Sequence, residues 1–142
     1  MSKPEHIRDT ESYVEAIFGP GSGEAHVRFL ERIENDALRE MIHRYHTLEA
    51  DTSQLSLQEN YLIGMCVLCS QRDYRAAALF AKTLLHLGVP KEKLLAASAR
   101  LAMWVGGLPA VDASFCVQKA IREYELEGLG SLAVWFPREL GK

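Results

Sequence analysis

Six side chains could do chemistry by type and spacing: the pair Cys66 and Cys69, the pair His43 and His46, and the single residues His86 and Tyr61. Cys66-Val67-Leu68-Cys69 has the spacing of a dithiol. Disulfide exchange needs a thiolate, which is favoured at a helix N-terminus or beside a cation. Here the pair falls in the last turn of its predicted helix, and Met65, Val67 and Leu68 supply desolvation without positive charge. The simpler reading is two small core residues, with Arg72 or another subunit required for redox work. Cys116, in the final helix, reads as core. A structural zinc site wants four ligands, and no second Cys-x-x-Cys exists to complete one.

His43 and His46 lie three residues apart with Glu40 one turn upstream of His43. Imidazoles so placed could bind metal or transfer protons. The bland reading is two partly exposed rings flanking an apolar stripe. His86 reads first as a cation suited to a helix C-terminus, and otherwise as an acid–base group facing a cleft. Tyr61 and Trp104 are candidates to line that cleft, although aromatic residues at helical spacing are usually core.

The elements that position these groups are all helical by their punctuation. A first helix is expected from about Thr10 to Phe18, stopped by Gly19-Pro20-Gly21. A second starts near Ser22 or Gly23 and carries Val27, Leu30 and Ile33 on one side. Asn35-Asp36 can cap a third, whose Leu38, Met41, Ile42, Tyr45 and Leu48 form an amphipathic stripe expected to face the core. A polar linker runs to Gln54, and Ser56-Leu57-Gln58-Glu59 then reads as a capping box. The helix it opens, to about Cys69, is apolar nearly all round and is expected at the centre of the core. Ser70 to Asp73 breaks the pattern. A helix from Tyr74 to Leu87 ends at Gly88, and Pro90 suits the first turn of the next, which reaches about Val105. Gly106-Gly107-Leu108-Pro109 makes a corner, and Ala110 to Glu127 is the last helix. In the tail, 128–142, Leu132, Val134, Trp135 and Phe136 are expected to dock on the domain or on a neighbouring subunit.

Composition bounds the rest. A chain of 142 residues, 48% hydrophobic and 25% charged, suits one globular domain over 1–142. A net charge of −3 gives no basic surface for nucleic acid. No apolar run approaches the roughly 20 residues that cross a bilayer, and the polar start is unlike a secretory signal. A cytoplasmic protein with reduced cysteines is expected. Neither cofactor nor metal is called for.

With the helices in place, the segment 55–113 resembles the carboxymuconolactone decarboxylase and alkylhydroperoxidase D-like superfamily. The likeness is carried by Leu55-Ser56-Leu57-Gln58-Glu59, Ala77 to Lys82, Leu84-Leu85-His86-Leu87-Gly88-Val89, Pro90 to Leu94 and Gly107-Leu108-Pro109-Ala110. It implies an all-α orthogonal bundle of about six to seven helices, assembled as a homotrimer or homohexamer, with a site among helices near a subunit contact. The peroxidase branch uses Cys-x-x-Cys-x-x-x-His, its histidine eight residues before the corner glycine, and a glutamate on the preceding helix. Counting back from Gly88, Phe80 fills the histidine slot, Asp73 and Ala76 fill the cysteine slots, and Tyr61 fills the glutamate slot. The decarboxylase branch also keeps a histidine where Phe80 stands.

Three functions are therefore open. The first, slightly preferred, is a decarboxylase-type lyase acting on a small carboxylate or lactone through Tyr61, His86, His43 or His46. The second is a thiol-dependent alkylhydroperoxidase, of peroxiredoxin type, using Cys66 and Cys69. The third is a non-catalytic oligomeric binding protein that kept the helical frame.

Overall fold

A computed structural model describes residue 3 and residues 5–128; the apolar tail residues Leu132, Val134, Trp135 and Phe136 lie outside the described residues. Among the described residues all regular structure is helical, with seven helices of ten residues or more and one single turn. This is the all-α architecture of six to seven helices expected above. The chain divides into two compact units, one ending at Leu57 and the other beginning at Gln58.

The first unit holds α1 (Glu5–Phe18), α2 (Ser22–Glu31) and α3 (Asp36–Ala50), and α1 packs on both others. Gly19 and Gly21, both at positive φ, turn the chain after Phe18 as the sequence predicts. The α2 N-terminus is then held by α1. The Glu15 carboxylate accepts from the amides of Gly21 (2.7 Å) and Gly23 (2.9 Å), supplying acceptors for donors that no helix turn can satisfy. The two helices approach so closely that a Cβ on Gly23 would lie 2.2 Å from the Glu11 carbonyl oxygen. Asn35 caps α3, its side chain accepting from the Leu38 amide at 2.8 Å.

Two expectations about this unit need correction. Helix α1 begins at Glu5, not near Thr10. Thr10 is a fully buried residue inside the helix, its hydroxyl placed 2.9 Å from both the His6 and His43 carbonyl oxygens. Helix α3 turns the other way round from its apolar stripe. Leu38, Met41, Tyr45 and Leu48 are 40% to 70% exposed, while His43 is the buried residue. The reason is what α1 offers for packing: its hydroxyl and imidazole groups (Thr10, Tyr13, His6) pair with the histidine face of α3.

The second unit holds α4 (Leu57–Ser70), α5 (Tyr74–His86), α6 (Lys91–Arg100), the turn α7 (Ala102–Val105) and α8 (Gly107–Glu127). Its spine is α8, which packs on α5, α6 and α7 through Ala110, Ala113, Val117, Ala120 and Ile121. Small residues at these positions let neighbouring helices approach. Helix α4 is therefore not the core centre that its composition suggests. It buries one stripe, Tyr61, Met65 and Cys69, and leaves Ile63 and Val67 about half exposed.

The corners are specified locally. After α5, the Val89 amide donates to the Leu84 carbonyl and the Gly88 amide to the Leu85 carbonyl, with Gly88 left-handed. That is a Schellman closure. The same closure ends α4, where Asp73 donates to Leu68 and Arg72 to Cys69, but Arg72 takes the left-handed position at φ 60°. Asp73 then caps α5 by accepting from the Ala76 amide at 3.2 Å. Pro90 sits just ahead of α6 as its cap, and the long helix expected to reach Val105 breaks at Leu101. The last helix starts at Gly107 rather than Ala110, because Pro109 fits a first turn where its missing N–H costs nothing.

Candidate functional site

The richest polar constellation is in the first unit, where α1, α2 and α3 meet. The Glu49 carboxylate accepts from the Tyr13 hydroxyl at 2.9 Å, and the same oxygen lies 3.2 Å from His46 Nδ1. His46 Nε2 in turn lies 3.1 Å from His26 Nε2 on α2. A carboxylate only accepts, so it fixes the proton of neutral His46 on Nδ1, leaving Nε2 as the acceptor for a proton on His26 Nε2. The result is one chain of contacts, Tyr13–Glu49–His46–His26, linking all three helices. His46 and Glu49 side chains are only 15% and 14% exposed, so these contacts are made largely out of water.

A second pair extends the cluster. The His43 ring lies 5.9 Å from that of His6 on α1, and its Nδ1 is buried without a hydrogen-bond partner among the described residues. Burial, reinforced by the charges that His46 and His43 would carry, holds His26 down at about 4. Burial first, and then His6 and His46, also lower His43. Neither ring is therefore charged at neutral pH.

The reading of His43 and His46 as two partly exposed rings flanking the stripe is thus replaced. His43 is buried, and His46 belongs to a carboxylate-anchored pair. Glu49 was expected in the polar linker, but α3 continues to Ala50 and so holds it three residues from His46 on the same helix. Tyr13 and His26 gave no local signal, because they reach the site from 36 and 20 residues away respectively. Glu40 is engaged elsewhere, bonded to Arg44. Among the described residues, no group of three or more His, Cys, Asp or Glu side chains could hold a metal ion.

Tyr61, His86, Cys66 and Cys69 belong to the second unit. Tyr61 is buried on α4, its ring 4.9 Å from that of Phe80 on α5. Phe80 lies directly over Gly64, where a Cβ would come within 2.5 Å of the ring. Phe80 is thus a phenyl ring seated on a glycine. His86 ends α5 with its Nδ1 3.3 Å from the Tyr124 hydroxyl, and Trp104 stands 80% exposed instead of lining a cleft beside Tyr61.

Cys66 and Cys69 are free thiols near the end of α4. Burial pushes Cys66 up. Cys69, only 1% exposed, is pushed up to about 12 by burial and then by Cys116 and Cys66. Both are protonated at neutral pH, which is the wrong state for a nucleophile. Cys116 is also raised by burial, and its thiol lies 3.3 Å from the Tyr74 carbonyl.

The remaining surface feature is apolar. Met103, Trp104, Leu108, Val111 and Phe115 are 73%, 80%, 81%, 47% and 62% exposed, and the last three lie on one face of α8. The chain matches no protein-family model, and comparison with curated proteins and with solved structures gives no significant match.

Proposed function

We propose that the chain is a carboxymuconolactone decarboxylase-like helical protein that works as a self-associating binding protein and not by thiol chemistry. The observation that carries this reading is the exposed apolar face of α7 and α8. Aromatic side chains present roughly 150–250 Å² each, so Trp104 and Phe115 with their three aliphatic neighbours offer on the order of 600 Å². That approaches the ~800 Å² that one partner contributes to a standard interface. An exposed apolar patch of this kind is suited to a copy of itself. A homotrimer or homohexamer is the assembly that the family resemblance implies.

Two further observations support the same reading. The corners named by the resemblance all fall at helix ends: Ser56 before α4, Gly88-Val89 after α5, and Gly107-Leu108-Pro109 opening α8. By the register set out above, the family's reactive positions hold Phe80, Asp73, Ala76 and Tyr61 instead, and the chain's own Cys66 and Cys69 are protonated thiols near the end of α4. Sedimentation velocity tests the proposal. The wild-type chain is expected to run as a trimer or larger, and Leu108→Asp with Trp104→Asp is expected to give a folded monomer. A wild-type monomer at micromolar concentration would refute it.

The Glu49–His46 pair favours one second reading, a lyase-type enzyme that moves a proton on a small carboxylate or lactone. Turnover of a panel of carboxylated lactones that disappears in His46→Gln would establish it. Turnover unaffected by that change would remove it.

A further inference from the structure

The histidine cluster of the first unit has features that a catalytic or metal site would not need. The Nε2 of His46, the atom a carboxylate-anchored imidazole would turn to a substrate, is occupied by His26. His26, at the end of the chain of contacts, is too weak a base to take a proton near neutral pH. What the arrangement does provide is a link. Helix α1 packs on both α2 and α3, and the 3.1 Å contact between His26 and His46 joins α2 to α3 directly.

We propose that the His26–His46 contact is a proton-controlled latch between α2 and α3, closed when both rings are neutral and opened when acid charges them. The closed form needs one ring nitrogen to accept. Two imidazolium rings present only N–H groups to each other, and both carry positive charge. The surroundings sharpen the response. From α1, His6 and Tyr13 face the cluster. From α2 come His26 and Glu31, and from α3 come Arg39, His43, His46 and Glu49. At His43 Glu31 favours a positive charge, but burial, His6, His46 and Arg39 outweigh it. At His26 a positive charge is opposed by burial first, and then by His46 and His43.

The sign follows from His26. Its value falls from an ordinary 6.5 to about 4 in the folded chain, so unfolded or opened forms bind the proton more tightly. The latch is intact above about pH 6.5 and weakens as pH falls towards 4. Linkage across that interval makes it about 20-fold weaker at pH 5 than at pH 7.

Hydrogen exchange of the full chain, followed by mass spectrometry and corrected for intrinsic rates, tests this. Protection of peptides from α2 and α3 is expected to fall at least tenfold between pH 7 and pH 5, with α5 and α8 unchanged. His26→Phe, which keeps an apolar ring and cannot be charged, is expected to abolish that fall. Should His26→Phe fail to fold, His26→Gln, which keeps a donor and does not titrate, serves the same purpose. Unchanged α2 and α3 protection in the wild type, or a full pH response in the folded variant, would overturn the latch.

Discussion

Gly64→Ala is the sharpest probe of how the second unit is built. In an exposed helix the change stabilises by about 1 kcal/mol, because glycine loses more backbone entropy on folding. Gly64 sits within α4 without any positive φ, so the backbone would accept alanine. Its Cβ, however, would fall 2.5 and 2.8 Å from two ring carbons of Phe80, well inside the ~3.5–4.0 Å optimum for carbon atoms. Phe80 cannot simply swing away, because Tyr61 lies against it at 4.9 Å between ring centroids. Overpacking of this kind costs about 1–3 kcal/mol, so the net change should be a loss of about 1 kcal/mol. Replacing Phe80 by leucine removes the obstacle. In that background Gly64→Ala should gain about 1 kcal/mol, giving a coupling of about 2 kcal/mol between the two positions. Urea denaturation of the four proteins, followed by circular dichroism, measures the cycle. A coupling within about 0.5 kcal/mol of zero would mean that Phe80 does not cover Gly64, and the packing of α5 on α4 described here would fall with it.

Other outcomes follow from single features. With Cys69 near 12 and Cys66 also raised, a thiol reagent at pH 8 should label neither rapidly until the chain is unfolded; fast native labelling of both would restore the peroxidase reading. Arg72→Gly should stabilise by about 0.5–1 kcal/mol, since relief of a left-handed non-glycine residue, ~1–2 kcal/mol, exceeds the added entropy of the unfolded chain. A lower denaturation midpoint for that variant would contradict the helix end described here. Thr10→Val should cost about 1 kcal/mol of thermal stability, because it removes the hydroxyl that reaches the His43 carbonyl in the first unit. The shift of His26 from 6.5 to about 4 implies a loss of about 3 kcal/mol between pH 7 and pH 4, readable as a falling melting temperature that flattens in His26→Phe.

What could be read from residues alone was mostly punctuation. Gly19-Pro20-Gly21, Asn35, Asp73 and Gly88 each act through their own backbone or the next few amides, so their roles are local and visible in order along the chain. The orientation of α3 was not visible. A stripe such as Leu38–Met41–Tyr45–Leu48 states which residues favour burial, but the helix that must cover them lies elsewhere. Here α1 offered Thr10, Tyr13 and His6, and the polar face won. Helix α4 shows the converse: apolar on all sides, it gave no direction, and its partners chose the stripe Tyr61–Met65–Cys69. In the candidate site, His43 and His46 could be named from spacing. Their partners Tyr13 and His26 could not, because a contact between separate helices leaves no period in the sequence.

The proposed assembly through α7 and α8 can be tested at its largest side chain. In a Trp135→Phe background, Trp104 is the remaining tryptophan, and its emission across a dilution series reports whether its 80% exposed ring is covered by another copy. Self-association predicts blue-shifted emission at high concentration that moves to the red on dilution, and red emission throughout once Leu108→Asp is added. Red emission at every concentration in the parent protein would contradict it.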